Sequence, residues 1–291
     1  MGNRLRMMLG DGGVLTVAFI WGATNVVLRG ALTELTPLWF CALRFAVAFA
    51  ATAVFFGRRA VSMPRAASAA GFFTGAVFIL AHILGAIALL FTTAGNESFI
   101  IAMSVVFVPL AAAFMERKAP PRRVIASIAL CVAGMAGLML DGSMSVNVGD
   151  LLCFASMLLV TAYILLVQKF VKSADVYALA FWQALGGMTL AAAAALIFEP
   201  MPSEIPYTAW AAVAYAGTVG FALTLVIQNV AQKYTTATHT AILLSMSSVF
   251  GRVLGIVFIE EPMTPRIFTA SALILAGVIT AELAPGGTGN K

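Results

Sequence analysis

The sequence predicts an all-α polytopic membrane protein, with ten transmembrane helices arranged as two inverted five-helix repeats around a central cavity. The composition, the spacing of the apolar runs and an internal repeat lead to this fold class. The 291 residues are 62% hydrophobic and only 10% charged, and their mean hydropathy is +1.00. A soluble domain carries about 25% charged residues. The composition therefore excludes a soluble enzyme as the default interpretation, and it excludes a disordered chain more firmly.

Apolar runs bounded by charged residues, proline or glycine give the predicted helices. A helix that crosses a bilayer needs roughly 20 apolar residues, and a helix satisfies its own backbone groups where no water is present. The predicted helices 1 to 10 are 13–30, 37–57, 67–91, 97–115, 123–140, 149–169, 176–198, 207–230, 236–259 and 266–283. They leave too few residues for a water-soluble domain.

The basic residues are distributed unequally between the two sets of loops. The odd-numbered loops hold only Arg29 and Arg266, and two further arginines lie inside predicted helices. The N-terminal tail, the even-numbered loops and the C-terminal tail hold Arg4, Arg6, Arg58, Arg59, Arg65, Arg117, Lys118, Arg122, Arg123, Lys169, Lys172, Lys233 and Lys291. The positive-inside rule then places both termini in the cytoplasm. We therefore attribute the net charge of +5 to orientation in the bilayer and not to binding of nucleic acid.

The chain repeats itself after 143 residues. When Thr92–Gly137 is aligned with Thr235–Thr280, 12 of the 46 positions are identical. The shift is close to half the chain, so the predicted domains are 1–143, with helices 1 to 5, and 144–291, with helices 6 to 10. An odd number of helices inserts the second copy upside down, which is typical of carriers with a substrate site near the membrane midplane.

Several short motifs occur in a recognisable order. They are Trp21-Gly22-Ala23-Thr24-Asn25, Arg44-Phe45, Phe107-Val108-Pro109-Leu110 and Glu260-Glu261-Pro262. Together they resemble the EamA family of the drug/metabolite transporter superfamily and, within it, the aromatic amino-acid exporters of the YddG type. The resemblance implies ten helices in two inverted repeats around a cavity, and the export of small metabolites from bacteria. The second half lacks a Trp-Gly opening, and the position that matches Arg44 falls near Gln183, so strict symmetry between the halves is not expected.

Polar, aromatic and methionine side chains inside the spans are the candidates for substrate binding. Polar groups at membrane depth usually face a cavity or a partner, and a lining of methionine and aromatic rings suits large apolar substrates. Helix packing or lipid contact is the alternative role for each of them. The candidates are Trp21, Asn25, Phe78, His82, Phe99, Met103, Tyr163, Trp182, Tyr215 and Met246.

Four residues are candidates for gates or hinges. Arg44 either attracts a substrate carboxylate or bonds structurally to neighbouring groups. Pro109 is expected to kink helix 4 because it removes a backbone donor. At the 143-residue shift Pro109 aligns with Arg252, which follows Gly251. Arg252 is a candidate outer gate together with an acidic loop residue. These signals predict that helices 3, 4, 8 and 9 flex.

The resulting prediction is a carrier and not an enzyme. It exports small metabolites, with aromatic or large neutral amino acids as the expected substrates, by alternating access and facilitated diffusion. The alternative is a proton-coupled exporter of drugs or other metabolites, with His82 carrying the proton. No phosphate-binding GxxxxGK[ST] loop is present, which excludes direct ATP hydrolysis. The expected partners are a small-molecule substrate and the lipid bilayer, without nucleic acid, partner protein, cofactor or metal.

Overall fold

The computed structural model describes residues 3–28, 35–92, 97, 100–139, 147–259 and 264–282. Within these residues all regular structure is helical, which confirms the all-α prediction. The helices of the first half are α1 (Asn3–Leu28), α2 (Pro37–Val61), α3 (Arg65–Ala88), α4 (Ser104–Glu116) and α5 (Arg122–Met139). Those of the second half are α6 (Val148–Phe170), α7 (Val176–Phe198), α8 (Tyr207–Gln232), α9 (Ala237–Leu244 and Met246–Ile259) and α10 (Pro265–Glu282).

Seven helical stretches in the described part of the chain are long and apolar enough to cross a membrane. They lie in α1, α2, α3, α6, α7, α8 and α9. Two shorter apolar helices, Ile100–Glu116 and Pro265–Ala281, include α4 and α10. A multi-pass membrane protein is therefore confirmed, whereas the count of ten spans stays a prediction.

The first helix begins earlier than the sequence predicted. The prediction placed it at 13–30, but α1 begins at Asn3 and ends at Leu28, so Asp11 lies inside a candidate span, Leu5–Thr24. The prediction was wrong because a hydropathy pattern marks the apolar part of a helix and not its first hydrogen-bonded turn. Asp11 is buried, with 5% of its surface exposed.

Two helices of the second half are irregular. In α8, residues Ala216–Leu223 form a π-helical segment, and the Thr224 hydroxyl just after it donates to the Gly220 carbonyl at 2.5 Å. A side chain that bonds the helix's own carbonyls is one of the identified causes of local distortion. In α9 the helix is interrupted at Ser245, whose hydroxyl donates to the Ile242 carbonyl at 2.6 Å.

The helices pack in pairs that are related by an approximate two-fold operation. Exchanging each helix for the one five positions away in order maps the α2–α7, α5–α10 and α4–α9 contacts onto themselves. The same exchange maps α3–α7 onto α2–α8, α3–α6 onto α1–α8, and α1–α9 onto α4–α6. Each half therefore packs against the other through equivalent pairs of helices.

The contact between α5 and α10 shows the relation residue by residue. A Cβ atom on Gly134 would lie 2.6 Å from the Ala270 carbonyl oxygen, and one on Gly277 would lie 2.9 Å from that of Ser127. Gly134 and Gly277 are 143 positions apart, as are Ser127 and Ala270. The shift that relates the two sequences thus also relates the contacts between the halves.

Candidate functional site

Six ring side chains meet where the two halves face each other. We call them the central ring cluster: Trp21 from α1, Phe45 from α2, Phe78 and His82 from α3, Tyr163 from α6, and Phe221 from α8. Phe78 lies at the middle, with its ring centroid 4.2 Å from that of Tyr163 and 4.5 Å from that of His82. The centroids of Phe45 and Phe221 are 4.7 Å apart. Both halves of the chain therefore contribute to one aromatic centre.

Trp21 and His82 of this cluster are anchored to helix backbone. The Trp21 indole N–H donates to the Gly220 carbonyl at 3.3 Å, so it bridges α1 to the π-helical segment of α8. His82 Nδ1 lies 2.9 Å from the Phe78 carbonyl oxygen of its own helix. These bonds leave the ring faces as the surface that the cluster presents. The rings pack on one another, and Phe78 and Tyr163 are only 2% and 1% exposed.

Arg44 on α2 lies at the edge of the central ring cluster. Its guanidinium carbon is 4.7 Å from the centroid of the Phe221 ring and 5.1 Å from that of Phe40. One terminal nitrogen donates to Cys41 Sγ at 3.1 Å, while the buried Nε has no hydrogen-bond partner in the described part of the chain. A cation over aromatic faces gains part of what it loses in hydration. Because Arg44 forms no ion pair with a described carboxylate, it retains the capacity to bind an anion.

Four buried amide side chains and the partly buried Gln168 form a second group next to the rings. We call them the amide cluster: Gln168, Gln183, Gln228, Asn229 and Gln232, from α6, α7 and α8. Asn229 Nδ2 donates to Gln183 Oε1 at 2.8 Å, and the Tyr163 hydroxyl donates to Gln228 Oε1 at 3.5 Å. Tyr163 therefore joins the two clusters.

The amide cluster has spare hydrogen-bonding capacity. Each of its five side chains carries one buried polar atom without a partner among the described residues. Two of these atoms are donors, Gln183 Nε2 and Gln228 Nε2, and three are acceptors, Gln168 Oε1, Asn229 Oδ1 and Gln232 Oε1. Buried polar groups are usually satisfied by protein, water or ligand. The cluster is thus suited to contact with water or with a polar substrate that offers both donors and acceptors.

An open groove of about 500 Å³ lies beside the central ring cluster. It is lined by α2, α3 and α7, with Leu38, Ile83 and Leu190 among its apolar walls and Glu199 at its edge. None of the six cluster rings lines it. A central cavity therefore stays a prediction, because rings fill the middle of the molecule in this conformation.

The structure brings together four of the predicted binding residues and places four others elsewhere. Trp21, Phe78, His82 and Tyr163 meet in the central ring cluster. The Trp182 indole N–H donates to the Ala60 carbonyl at 3.3 Å near the end of α2, away from the rings. Three others are Met103, which directly precedes α4, Tyr215, which directly precedes the π-helical segment, and Met246, which begins the second part of α9. Phe99 and the side chain of Asn25 lie outside the described residues.

Of the four predicted gate or hinge residues, Arg44 lies on α2 and the other three lie on α4 and α9. Pro109 is buried inside α4. Gly251 lies where α9 crosses α1, since a Cβ atom on Gly22 would be 2.7 Å from the Gly251 nitrogen. Arg252 follows it and is half-buried. Their gating roles stay predictions.

Sequence reasoning missed Phe45, Phe221 and the amide cluster as parts of the candidate site. A signal for the amides was available, because Gln228, Asn229 and Gln232 interrupt an apolar run and polar groups at membrane depth are costly. Phe221 also had a signal, because it lies 143 positions after Phe78, the shift of the repeat, whereas Phe45 gave none among 21 phenylalanines.

Comparisons with known proteins show which family the chain belongs to. The sequence profile of the EamA-like transporter family matches residues 8–140 and again residues 147–281. The chain belongs to the EamA-like transporter family. It is 27% identical over 282 residues to an uncharacterized transporter of Archaeoglobus fulgidus, which is 96% of this chain and 87% of that protein. A crystal structure of another protein has the same fold, with a TM-score of 0.81, 18% identity, and coverage of 97% of this chain and 98% of that one.

Membership of the EamA-like family confirms the predicted class of protein, a membrane transporter. Because the family profile matches each half once, both halves are built as members of the family. The central ring cluster, the amide cluster and Arg44 are then features of a transport protein.

Proposed function

We propose that this EamA-family transporter exports aromatic or large neutral amino acids across a bacterial inner membrane, by alternating access and facilitated diffusion. Ten spans in two inverted repeats, 1–143 and 144–291, form the pathway, and both termini lie in the cytoplasm. The observation that carries the proposal is the position of Arg44, whose guanidinium lies 4.7 Å from the Phe221 centroid at the edge of six clustered rings.

The proposed substrate matches the chemistry of this edge. An aromatic amino acid carries a carboxylate next to a ring. A guanidinium binds a carboxylate through paired, charge-assisted hydrogen bonds, and aromatic rings favour stacked or edge-to-face neighbours. In the proposed complex the carboxylate binds Arg44, and the substrate ring replaces one of the ring-to-ring contacts of the central ring cluster.

The amide cluster supports a zwitterionic substrate. Its unpartnered donors and acceptors are uncharged, and one of its members, Gln228, accepts the hydroxyl of Tyr163 from the central ring cluster. They offer hydrogen bonds to both the ammonium and the carboxylate of an amino acid without holding either as an ion pair. A site of this kind binds weakly enough to release its substrate.

The test is flux into proteoliposomes that contain the purified full chain. The panel contains radiolabelled Phe, Trp and Leu, a sugar phosphate and a lipophilic cationic drug. We expect saturable uptake and counterflow for Phe and Trp, loss of this flux in Arg44→Gln, and partial retention in Arg44→Lys, which keeps the charge but loses the planar fork. Movement of the drug without movement of Phe or Trp would contradict the proposal.

His82 favours the second candidate function, proton-coupled export. It is a titratable ring in contact with Phe78 and Phe221 inside the central ring cluster. The same liposomes with an imposed pH gradient distinguish the two. Facilitated diffusion predicts that the pH gradient does not accelerate substrate flux, in the native chain and in His82→Gln alike. Acceleration that His82→Gln abolishes would establish proton coupling instead.

A further inference from the structure

A short contact ties the beginning of α1 to the end of α8. The Thr235 hydroxyl donates to Asp11 Oδ1. Directly beside it, a Cβ atom on Gly10 would lie 2.9 Å from the Ala231 carbonyl oxygen, so the two backbones touch. We call this contact the α1–α8 clasp.

The same contact occurs a second time between α6 and the end of α3. The Thr92 hydroxyl donates to Asp150 Oδ1 at 2.6 Å, and a Cβ atom on Gly149 would lie 2.8 Å from the Ala88 carbonyl oxygen. We call it the α3–α6 clasp. The Gly-Asp pairs are 139 positions apart, and the Ala and Thr positions are each 143 apart, close to the shift of the repeat. All four residue types recur, so the contact belongs to the two-fold relation and not to one helix end alone.

The two clasps lie at opposite ends of the bundle. At one end α2 leads into α3, and Arg59 lies 3.8 Å from Asp175 just before α7. At the other end the Thr36 hydroxyl, just before α2, donates to Glu199 just after α7 at 2.5 Å. Since α3 and α6 each cross the bundle once, the α3–α6 clasp lies at the Glu199 end. Likewise α8 begins at the Glu199 end, so the α1–α8 clasp lies at the Asp175 end.

We propose that the two clasps are the end closures of the transport pathway and that they open alternately. This inference rests on the alternating access proposed above. Each clasp joins two helices that also meet in the central ring cluster, through Trp21 and the Gly220 carbonyl for α1 and α8, and through Tyr163 and Phe78 for α3 and α6. Separating a clasp therefore opens a path to the rings from that end. Both clasps are closed here, which corresponds to an occluded conformation.

The threonine hydroxyls allow each clasp to be weakened selectively. Asp150 also accepts the Asn147 backbone N–H at 3.0 Å as part of a helix cap, and His239 Nδ1 lies 3.8 Å from Asp11 Oδ1, so aspartate variants would disturb more than the clasps. Thr92→Val and Thr235→Val remove one hydroxyl donor each and keep the side-chain shape.

The chain supplies matched reporters at both ends. Cys153 is fully buried on α6, one turn inside Asp150. Val14 is fully buried on α1, one turn inside Asp11, and lies 139 positions before Cys153. The two reporter proteins are Cys153 alone, with Cys41 and Cys131 changed to Ala, and Val14→Cys in a background with all three native cysteines changed to Ala.

The experiment measures the rate at which a charged maleimide modifies each reporter in the full chain in nanodiscs. A charge-assisted hydrogen bond shifts an equilibrium by about tenfold. We expect Thr92→Val to raise Cys153 labelling by about that factor and to lower labelling at position 14, and Thr235→Val to do the reverse. Thr16→Val is the control, because the Thr16 hydroxyl is exposed and donates to the Gly12 carbonyl of its own helix, α1.

Two results would overturn the inference. One is an equal rise at both reporters, which means that the clasps are static contacts whose loss loosens the fold. The other is unchanged labelling in both variants. No substrate is used, so a failure of the amino-acid proposal in the flux experiment leaves this test intact.

Discussion

The helices α3 and α8 occupy equivalent places in the two halves, yet only α8 carries asparagine and glutamine side chains. Both pass through the central ring cluster and both end at a clasp. At the 143-residue shift, Gln228, Asn229 and Gln232 of α8 correspond to Gly85, Ala86 and Leu89 of α3. In addition, α8 contains a π-helical segment where α3 is a regular α-helix. The backbone contacts between the halves and the phenylalanine pair Phe78 and Phe221 are repeated, whereas the amides of α8 have no counterpart on α3.

The same contrast separates α2 from α7. A Cβ atom on Gly75 would lie 1.9 Å from the Gln183 carbonyl oxygen, and one on Gly217 would lie 2.6 Å from the Arg44 carbonyl oxygen. Arg44 and Gln183 are therefore structurally equivalent, as the sequence suggested. One half places a cation beside the rings, toward the Glu199 end, and the other places an amide toward the Asp175 end. The two halves therefore place different polar side chains at equivalent backbone positions.

The repeated backbone contacts are expected to be the most sensitive to substitution. Gly75→Val would force its side chain into the Gln183 backbone, which cannot give way as a flexible side chain can. Overpacking in a close-packed interior costs about 3 kcal/mol or more where the backbone must move. We expect loss of monodisperse protein in size-exclusion chromatography. Gly57→Val is the control, since nothing lies within 4 Å of a Cβ atom there. Equal stability of both variants would mean that the α3–α7 contact is not tightly packed.

Substitution in the amide cluster is expected to have the next largest effect, and it tests the difference between α8 and α3. Asn229→Leu removes the bond to Gln183 Oε1 and leaves that buried amide oxygen unpaired, which costs about 2 kcal/mol. We expect the Gln183→Leu/Asn229→Leu double variant to recover part of that loss in thermal unfolding. Ala86→Leu, at the matching position of α3, is expected to be nearly neutral. Additive effects of the two α7–α8 substitutions would show that the amides are not coupled.

The Thr224 hydroxyl links the irregular part of α8 to the rings. It donates to the Gly220 carbonyl at 2.5 Å and lies 3.4 Å from the Trp21 indole nitrogen. Thr224→Val is expected to destabilise the fold by about 1 kcal/mol, the typical net contribution of one hydrogen bond. The fluorescence of Trp21 should also shift, measured against Thr218→Val, whose exposed hydroxyl donates to the Ala214 carbonyl of its own helix. An unchanged spectrum would mean that Trp21 is held by the Gly220 carbonyl and ring contacts alone.

The sequence contained most of the fold but only part of the site. The apolar runs predicted α7 to the residue, because charges and prolines bound it, whereas the start of α1 extends beyond its apolar run. The repeat was visible because Thr92–Gly137 and Thr235–Thr280 make equivalent contacts. Trp21, His82 and Tyr163 were identified because such side chains are rare at membrane depth. Phe221 was not, although it lies 143 positions after Phe78, because the repeat was followed only from Thr92 onward.

The smallest expected effect concerns the contact in which the two halves are most alike. In the α5–α10 interface the Ser127 hydroxyl donates to the Gly277 carbonyl at 2.7 Å, whereas Ala270, at the equivalent position of α10, has no hydroxyl to donate to Gly134. Gly134 approaches the Ala270 backbone equally closely without such a bond. Ser127→Ala is therefore expected to lower the free energy of unfolding by less than about 1 kcal/mol. Thermal unfolding of Ser127→Ala beside Gly277→Val measures this. A loss as large as that of Gly277→Val would show that the hydroxyl, and not the glycine approach, holds the two halves together.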